Sequence, residues 1–330
     1  MTSKFNNVYV GDAYTIASVY EKDGPISSYF DLVYDKDLYY GCDTFERAEE
    51  RMLHDSILKL LDKSKMKDSD IDYVISGDLE NQIAASDYAM RDFDISFLGI
   101  FNACATFGEG LVIGANFIEG KRCKNIIVST SSHNMVAEKQ FRNPTEYGAP
   151  KKKTTTWTST GAASMLLTNK KGKIKITSAT AGRVCDKNIT DVNNMGAVMA
   201  IAAADTIERH LNDLKIKPSY YDLILTGDLG CYGKEILIDY LKTHDIDISK
   251  NYDDCGLILY DIKKQNVFAG ASGPASSALV LCSYVLKEMK KGKLKKVLIV
   301  PTGAIFSPTR TFQKDSIPSI AHAISLEVSE

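Results

Sequence analysis

Phe101-Asn-Ala-Cys-Ala-Thr-Phe-Gly-Glu-Gly110 follows an apolar run of strand length, Ile95 to Phe101. Beyond it, Leu111, Val112, Ala115 and Ile118 recur at the three- and four-residue spacing of one helix face. This places Cys104 where a strand turns into a helix. Free N–H groups at a helix start favour negative charge, so the expectation is a thiol that leans toward thiolate. Ala103, Ala105 and Gly108 leave room for other backbone to approach the sulfur. The plainer reading is a buried structural cysteine.

Working outward, strands alternate with helices, the expected pattern of a parallel sheet covered on both faces. Asp43 or Thr44 can cap a helix carrying Phe45, Ala48, Met52, Ile57 and Leu61. Next comes Asp70-Ile-Asp-Tyr-Val-Ile-Ser-Gly-Asp-Leu79, a strand closing in a Gly-Asp turn. Tyr221-Asp-Leu-Ile-Leu-Thr-Gly-Asp-Leu229 repeats it 150 positions on, setting Asp228 against Asp78. A looser match sets Gly120-Lys-Arg-Cys-Lys-Asn-Ile-Ile-Val128 against Gly292-Lys-Leu-Lys-Lys-Val-Leu-Ile299. Ala103-Cys-Ala-Thr-Phe-Gly108 then faces Ala271-Ser-Gly-Pro-Ala-Ser276. Two matches in the same order argue for duplication into halves 1–180, which carries Cys104, and 181–330. Ligands of such sheets bind beyond the carboxyl ends of the strands, where the copies meet. Ser131 to Thr160 reads as a long polar loop, poor in helix or strand pattern, and loops of that length are usually functional. Gly161 to Thr168 and Gly172 to Thr180 read as a strand pair, and Asn194 to Leu214 as an Ala-rich helix.

Composition narrows the partners. The chain has 330 residues and a net charge of −2, which gives no general reason to expect nucleic acid. Its seven cysteines are scattered without a C-x-x-C pair, so neither a disulfide framework nor a zinc site is indicated. Met1-Thr-Ser-Lys-Phe-Asn-Asn7 has no signal-peptide pattern, and no apolar run approaches the roughly 20 residues of a membrane span. Membrane association is therefore expected to be peripheral.

Cys104 in its Ala-Cys setting, with the duplicated halves, resembles the thiolase superfamily, most closely its ketoacyl-synthase III branch. That resemblance implies a duplicated five-layer α-β-α-β-α sandwich, usually a homodimer. The family draws a catalytic His and Asn from the second half. Here the strand Asp222–Thr226 runs into Gly227-Asp-Leu-Gly-Cys-Tyr232 without a His, and Ala269-Gly-Ala-Ser-Gly-Pro-Ala275 has no Asn. A resemblance spanning nearly the whole chain rests on nine motifs. Among them are Lys22-Asp-Gly-Pro25, Gly77-Asp-Leu-Glu-Asn-Gln82, Thr130-Ser-Ser-His-Asn134, Pro144-Thr-Glu-Tyr-Gly148, Asp253-Asp-Cys-Gly256 and Ile317-Pro-Ser-Ile-Ala-His322. Together these are similar to the stage V sporulation protein AD family. The resemblance implies a protein that binds dipicolinic acid, with calcium a possible companion. It would assist uptake into the developing spore, peripheral at the spore inner membrane, with membrane proteins of the same sporulation operon. It implies no other cofactor.

A flat pyridine dicarboxylate needs donors or a cation and a stacking surface. The candidates are His133 and Arg142 as charged donors, with Ser131, Ser132, Asn81 and Gln82 as neutral polar groups. Tyr147 or Phe141 would cover the ring, and Cys104 would mark the pocket floor. Asp78 and Asp228 are the candidate calcium ligands. Plainer roles stand beside these: the two aspartates as helix caps, Arg142 paired with Glu146, His133 as an ordinary loop histidine. The remaining histidines, His54, His210, His244 and His322, are expected to be structural or on the surface. The competing function is an acyl-thioester transferase or synthase with Cys104 as nucleophile and His133 as base. A third reading is a structural subunit whose pocket is a relic.

Overall fold

The computed structural model describes residues 1–329. Each half carries five main strands. In the first half they are β1 (Tyr9–Ala17), β2 (Tyr73–Gly77), β3 (Phe97–Gly99), β4 (Asn125–Ser132) and β5 (Gly161–Thr168). In the second they are β6 (Ile174–Thr180), β7 (Leu223–Thr226), β8 (Tyr252–Asp254), β9 (Lys296–Val300) and β10 (Ala323–Val328). The first half lies in the order β1-β5-β4-β2-β3, and the second repeats it as β6-β10-β9-β7-β8. The pairing senses repeat as well: β2 is parallel to β3 and β4, with β5 antiparallel to β4 and β1. Likewise β7 is parallel to β8 and β9, with β10 antiparallel to β9 and β6. Two register pairs, Tyr9 with Lys175 and Val10 with Ile174, join the half-sheets.

Two expectations are corrected here. The sheets are mixed: the three outer strands of each half are parallel, and the strands where the halves meet are antiparallel. The runs around 161–168 and 174–180 are both strands, yet they do not pair with each other. The chain crosses between half-sheets in 169–173, so β6 takes its main partner, β10, from the second half.

Three helical layers complete the sandwich. Helix α1 (Phe45–Ser64) covers the outer face of β1, β4 and β5. Helix α2 (Thr106–Glu119) lies between the half-sheets, touching β2, β4 and β5 on one side and β6 and β10 on the other. Helix α3 (Asn134–Phe141) follows β4, and α4 (Met195–Leu214) with α5 (Gly230–Lys242) covers the second half. The second central helix, α6, runs through Pro274–Val280, a π-helical Leu281–Val285 and Leu286–Lys290. Its apolar side, Leu279, Val280 and Val285, shares a core with Phe107, Leu111 and Ile118 of α2. Burying each such side chain contributes about 1.5–3 kcal/mol, which makes this central layer a main clamp between the halves.

The duplication reaches further than the matched motifs. Both α1 and α4 have 20 residues, start 150 positions apart, and end on Lys65 and Lys215 in the left-handed region. Asp72 accepts from the N–H groups of Lys124 and Asn125, and Asp222 does the same for Lys295 and Lys296. Thr44, rather than Asp43, caps α1 by accepting from Arg47 N. The stretch 131–160 is more regular than expected. Strand β4 continues through Ser132, α3 follows, and Trp157–Thr158 pairs with Ala271–Ser272 of the other half. Among the described residues no helix is long and apolar enough to cross a membrane.

The end of β2 packs directly against the segment leading to Cys104. A Cβ at Gly77 would collide with the carbonyl oxygen of Ile100 and sit 2.8 Å from the Thr106 methyl. Gly77→Ala is therefore expected to destabilise the protein by about 2–4 kcal/mol, read as a lower urea midpoint. An unchanged midpoint would show that this contact relaxes freely.

Candidate functional site

Cys104 is presented by a tight turn. The Asn102 N–H donates to Thr106 Oγ1 (2.9 Å), and that hydroxyl donates to the Ala103 carbonyl (2.7 Å). Ala103 sits at φ 49°, in the left-handed region where a side chain costs energy. The strained residue turns the next side chain, the Cys104 thiol, into the crevice between the halves. The second half closes on the same turn: a Cβ at Gly303 would lie 2.6 Å from Asn102 O and 2.9 Å from Ala105 N.

The group that the second half brings to the sulfur is a carboxyl, Asp228. It sits just beyond β7 on a loop held by Asp254. Buried Asp254 accepts from Thr226 Oγ1 (2.7 Å), Leu229 N (2.9 Å), Gly230 N (3.0 Å) and Gly256 N (3.0 Å). Asp228 itself accepts from Thr302 Oγ1 (2.7 Å) and Gly273 N (3.3 Å). Burial pushes its pKa up to about 7, against the pull of those donors and the thiol. Burial likewise pushes Asp254 to about 6.

Cys104 is pushed well above the ordinary thiol range, first by burial and then by the charge of Asp228. The Gly273 N–H and the Arg142 guanidinium oppose this without overcoming it. The expected lean toward thiolate is therefore corrected. A helix-end field is worth about 0.3–2 kcal/mol, too little against a largely apolar pocket shared with a carboxylate.

Among the described residues no hydrogen bond joins an imidazole to the sulfur. His322, from the second half, reaches the cysteine turn, with Nε2 3.0 Å from the Asn102 amide. Its Nδ1 accepts from Gly182 N (3.1 Å), so Nε2 carries the proton and the amide must present its oxygen. His322 is thus a structural tie, held neutral by burial with a pKa of about 4. His133 is no pocket residue either. Its Nδ1 accepts from Met135 N (3.2 Å), capping α3, and Nε2 donates to Leu38 O (2.8 Å). Burial holds it neutral, with a pKa of about 4.

The pocket above Cys104 encloses about 640 Å³, its open mouth included. Phe101, Phe141, Phe306 and Met199 give it an apolar wall, with Arg142 and Asp228 as its charged side chains. Phe141 and Phe306, ring centres 6.0 Å apart, stand with Arg142 between this pocket and an outer chamber. There Glu138, fully buried, is bracketed by Arg142 Nη1 (2.7 Å) and Lys151 Nζ (2.9 Å). Two cations on one carboxylate leave one positive charge in excess. Arg142 Nε and Thr155 Oγ1 are buried without a hydrogen-bond partner among the described residues. Arg142 pairs with Glu138 rather than with Glu146.

Of the residues singled out from sequence, the pocket gathers Cys104, Arg142 and Asp228, together with Phe141. The others stand off its wall. Asp78 accepts from Glu80 N and Ser86 N (both 2.8 Å) and so organises the turn after β2. Asn81 bonds Gln140 through its backbone, and Gln82 occupies the left-handed region at φ 63°. Ser131 donates to Glu49 (3.0 Å) and Ser132 to Ser159 O (2.8 Å). Tyr147 is 76% exposed and lines neither chamber. Among the described residues no three His, Cys, Asp or Glu side chains cluster closely enough to hold a metal ion. Sequence reasoning missed Thr302, Phe306 and Asp254. Their only signals were a Pro-bounded loop after β9 and the Asp253-Asp-Cys-Gly256 motif.

Comparison with known proteins agrees with this architecture. Residues 1–327 match the family model for stage V sporulation protein AD. Stage V sporulation protein AD of Bacillus subtilis (strain 168) is 43% identical over 320 residues, covering 97% of this chain and 94% of the relative. Among solved structures, OleA of Xanthomonas campestris superposes with a TM-score of 0.63 at 14% identity, over 98% of this chain and 99% of that one. The 3-oxoacyl-[acyl-carrier-protein] synthase III of Aquifex aeolicus VF5 gives 0.57 at 13% identity, over 97% and 99%. At such identities the solved structures speak for the thiolase-like fold alone.

The carboxyl beside the sulfur sets a pH dependence. Asp228 titrates near 3.8 in a model peptide and at about 7 in the folded protein. The native state therefore keeps a proton that the unfolded chain releases, and stability falls as pH rises through that window. Asp228→Asn removes this contribution, so the loss of stability between about pH 5 and pH 8 should shrink by about 2–3 kcal/mol. Urea unfolding of both proteins at the two pH values checks it; equal losses would place the Asp228 proton elsewhere.

Proposed function

This chain belongs to the stage V sporulation protein AD family, and from that membership we propose that it is a non-catalytic binding protein of sporulation. Its Cys104 pocket would take dipicolinic acid, with calcium as a companion ion, and assist uptake into the developing spore. It would do so at the inner membrane, with membrane proteins of the same operon. The observation that carries the reading is the carboxyl of Asp228 facing the sulfur where a condensing enzyme needs an imidazole. A nucleophilic thiol requires a base or a cation to draw off its proton, and a developing oxyanion requires donors. A carboxylate beside the sulfur disfavours the thiolate and repels a developing oxyanion.

The same groups suit a small aromatic anion. Phe141 and Phe306 offer faces for a flat ring, and Arg142, with Nε unengaged, offers a charge-assisted donor. Asp228, poised near neutrality, can donate a proton to a ligand carboxylate, or stay ionised and bind calcium beside it. The acyl-thioester alternative loses the base assigned to it, since both ring nitrogens of His133 are engaged elsewhere.

Calorimetry on the purified chain should show saturable heat with dipicolinate, and Arg142→Gln should weaken binding about ten-fold or more. His133→Ala should lower the melting temperature without a specific loss of affinity. Absence of heat with and without calcium would end the binding proposal. A Cys104-dependent mass adduct after incubation with acyl-coenzyme A would replace it with the enzymatic one.

A further inference from the structure

We propose that the end of the molecule opposite the Cys104 pocket is a docking face for an anionic lipid surface. Both central helices start at the pocket and end at that face. Helix α2 begins two residues after Cys104 and ends at Glu119, before Lys121-Arg-Cys-Lys124. Helix α6 begins beside Gly273 on the pocket wall and ends in Lys290-Lys-Gly-Lys-Leu-Lys295. The crossover between the half-sheets adds Lys170-Lys-Gly-Lys173. Hydrogen bonds tie the three segments to a common edge: Asn169 N to Lys124 O (3.0 Å), Ser329 N to Lys173 O (2.8 Å) and Val328 N to Lys295 O (2.9 Å). The Lys173 ammonium reaches Lys290 O (2.5 Å) and links the last two directly.

These segments hold ten exposed basic side chains in a chain of net charge −2. Those of 121–124 and 170–173, with Lys295, make no ion pair among the described residues. Nearby acids are committed: Asp72 and Asp222 to backbone N–H groups, as is Glu119 to Asn6 and Asn7. Glu288 is shared by Lys291 and Lys293. Helix ends favour lysine, which accounts for a cation or two after α2 and α6. It does not account for 170–173, which follows a strand.

The chemistry points to lipid. Nine of the ten cations are lysines, mobile point charges suited to a fluid anionic plane. The segments contain no aromatic side chain for stacking on bases and a single arginine for bidentate phosphate contacts. Leu294 is their one large aliphatic side chain and is half-buried, which leaves little apolar anchor for a protein interface. Docked this way, the pocket lies beyond the length of α2, about 20 Å from the lipid-facing edge, with its mouth unobstructed.

The full chain should co-sediment with phosphatidylcholine vesicles containing about 30% phosphatidylglycerol at low salt, and not with phosphatidylcholine alone. Lys124→Glu, Lys171→Glu and Lys295→Glu combined should weaken the association about ten-fold or more. The same charge change placed elsewhere, at Lys36, Lys187 and Lys314, should alter it by less than about two-fold. Should the first triple variant melt early, the corresponding triple Gln variant gives the same ranking with a smaller loss. No sedimentation, equal loss in both triple variants, or retention only on vesicles carrying an embedded protein would overturn the proposal.

Discussion

A thiol and a carboxyl share one largely apolar pocket, and neither can ionise without cost to the other. Cys104 comes from the first half on a turn strained at Ala103, and Asp228 from the second on a loop fixed by Asp254 and Thr302. Burial raises the pKa of both, Asp228 to about 7, so the uncharged pair is the resting state below that pH. The thiolase-like fold thereby carries a sulfur whose ionisation is opposed by its own surroundings. What the pocket retains is shape, an aromatic wall and the guanidinium of Arg142. The proposed receptor role is built on that remainder.

The duplication supplies both ends of the molecule. Two copies with the same strand order and outer helices of equal length, α1 and α4, back onto one central layer, so the starts of α2 and α6 converge on one crevice. Their far ends converge on a single basic face. The halves are held by the packed apolar sides of those helices and by a few short β-ladders. The crevice is therefore defined by side-chain packing across the central layer more than by sheet continuity. This suits a site whose two key groups must come from different halves.

Much of this was legible in the chain itself. The Gly-Asp strand ends at 77–78 and 227–228 disclosed the repeat, and the apolar run before Cys104 placed it at a strand-to-helix turn. Arg142 and Phe141 were found through the aromatic and charged character of their segment. The thiolate expectation failed because it used only local information. The helix start acts on Cys104 from its own segment, whereas Asp228 acts from 124 positions away and is brought to the sulfur only by tertiary closure. His133 failed for a related reason. A histidine just past a strand end can turn toward the crevice or cap the next helix, and reading 131–160 as irregular hid the helix it caps. Ser131 and Ser132 continue β4, and their hydroxyls are spent inside the sheet layer. Phe306 carried no local signal beyond the prolines that bound its loop.

Crystals soaked with dipicolinate give the most direct view of whether this pocket receives a ligand or performs a reaction. The account predicts a ring seated among Phe141, Phe306 and Cys104, one carboxylate on Arg142, and an unmodified thiol facing Asp228. Ligand density away from this crevice, or a covalent bond at Cys104 Sγ, would contradict it.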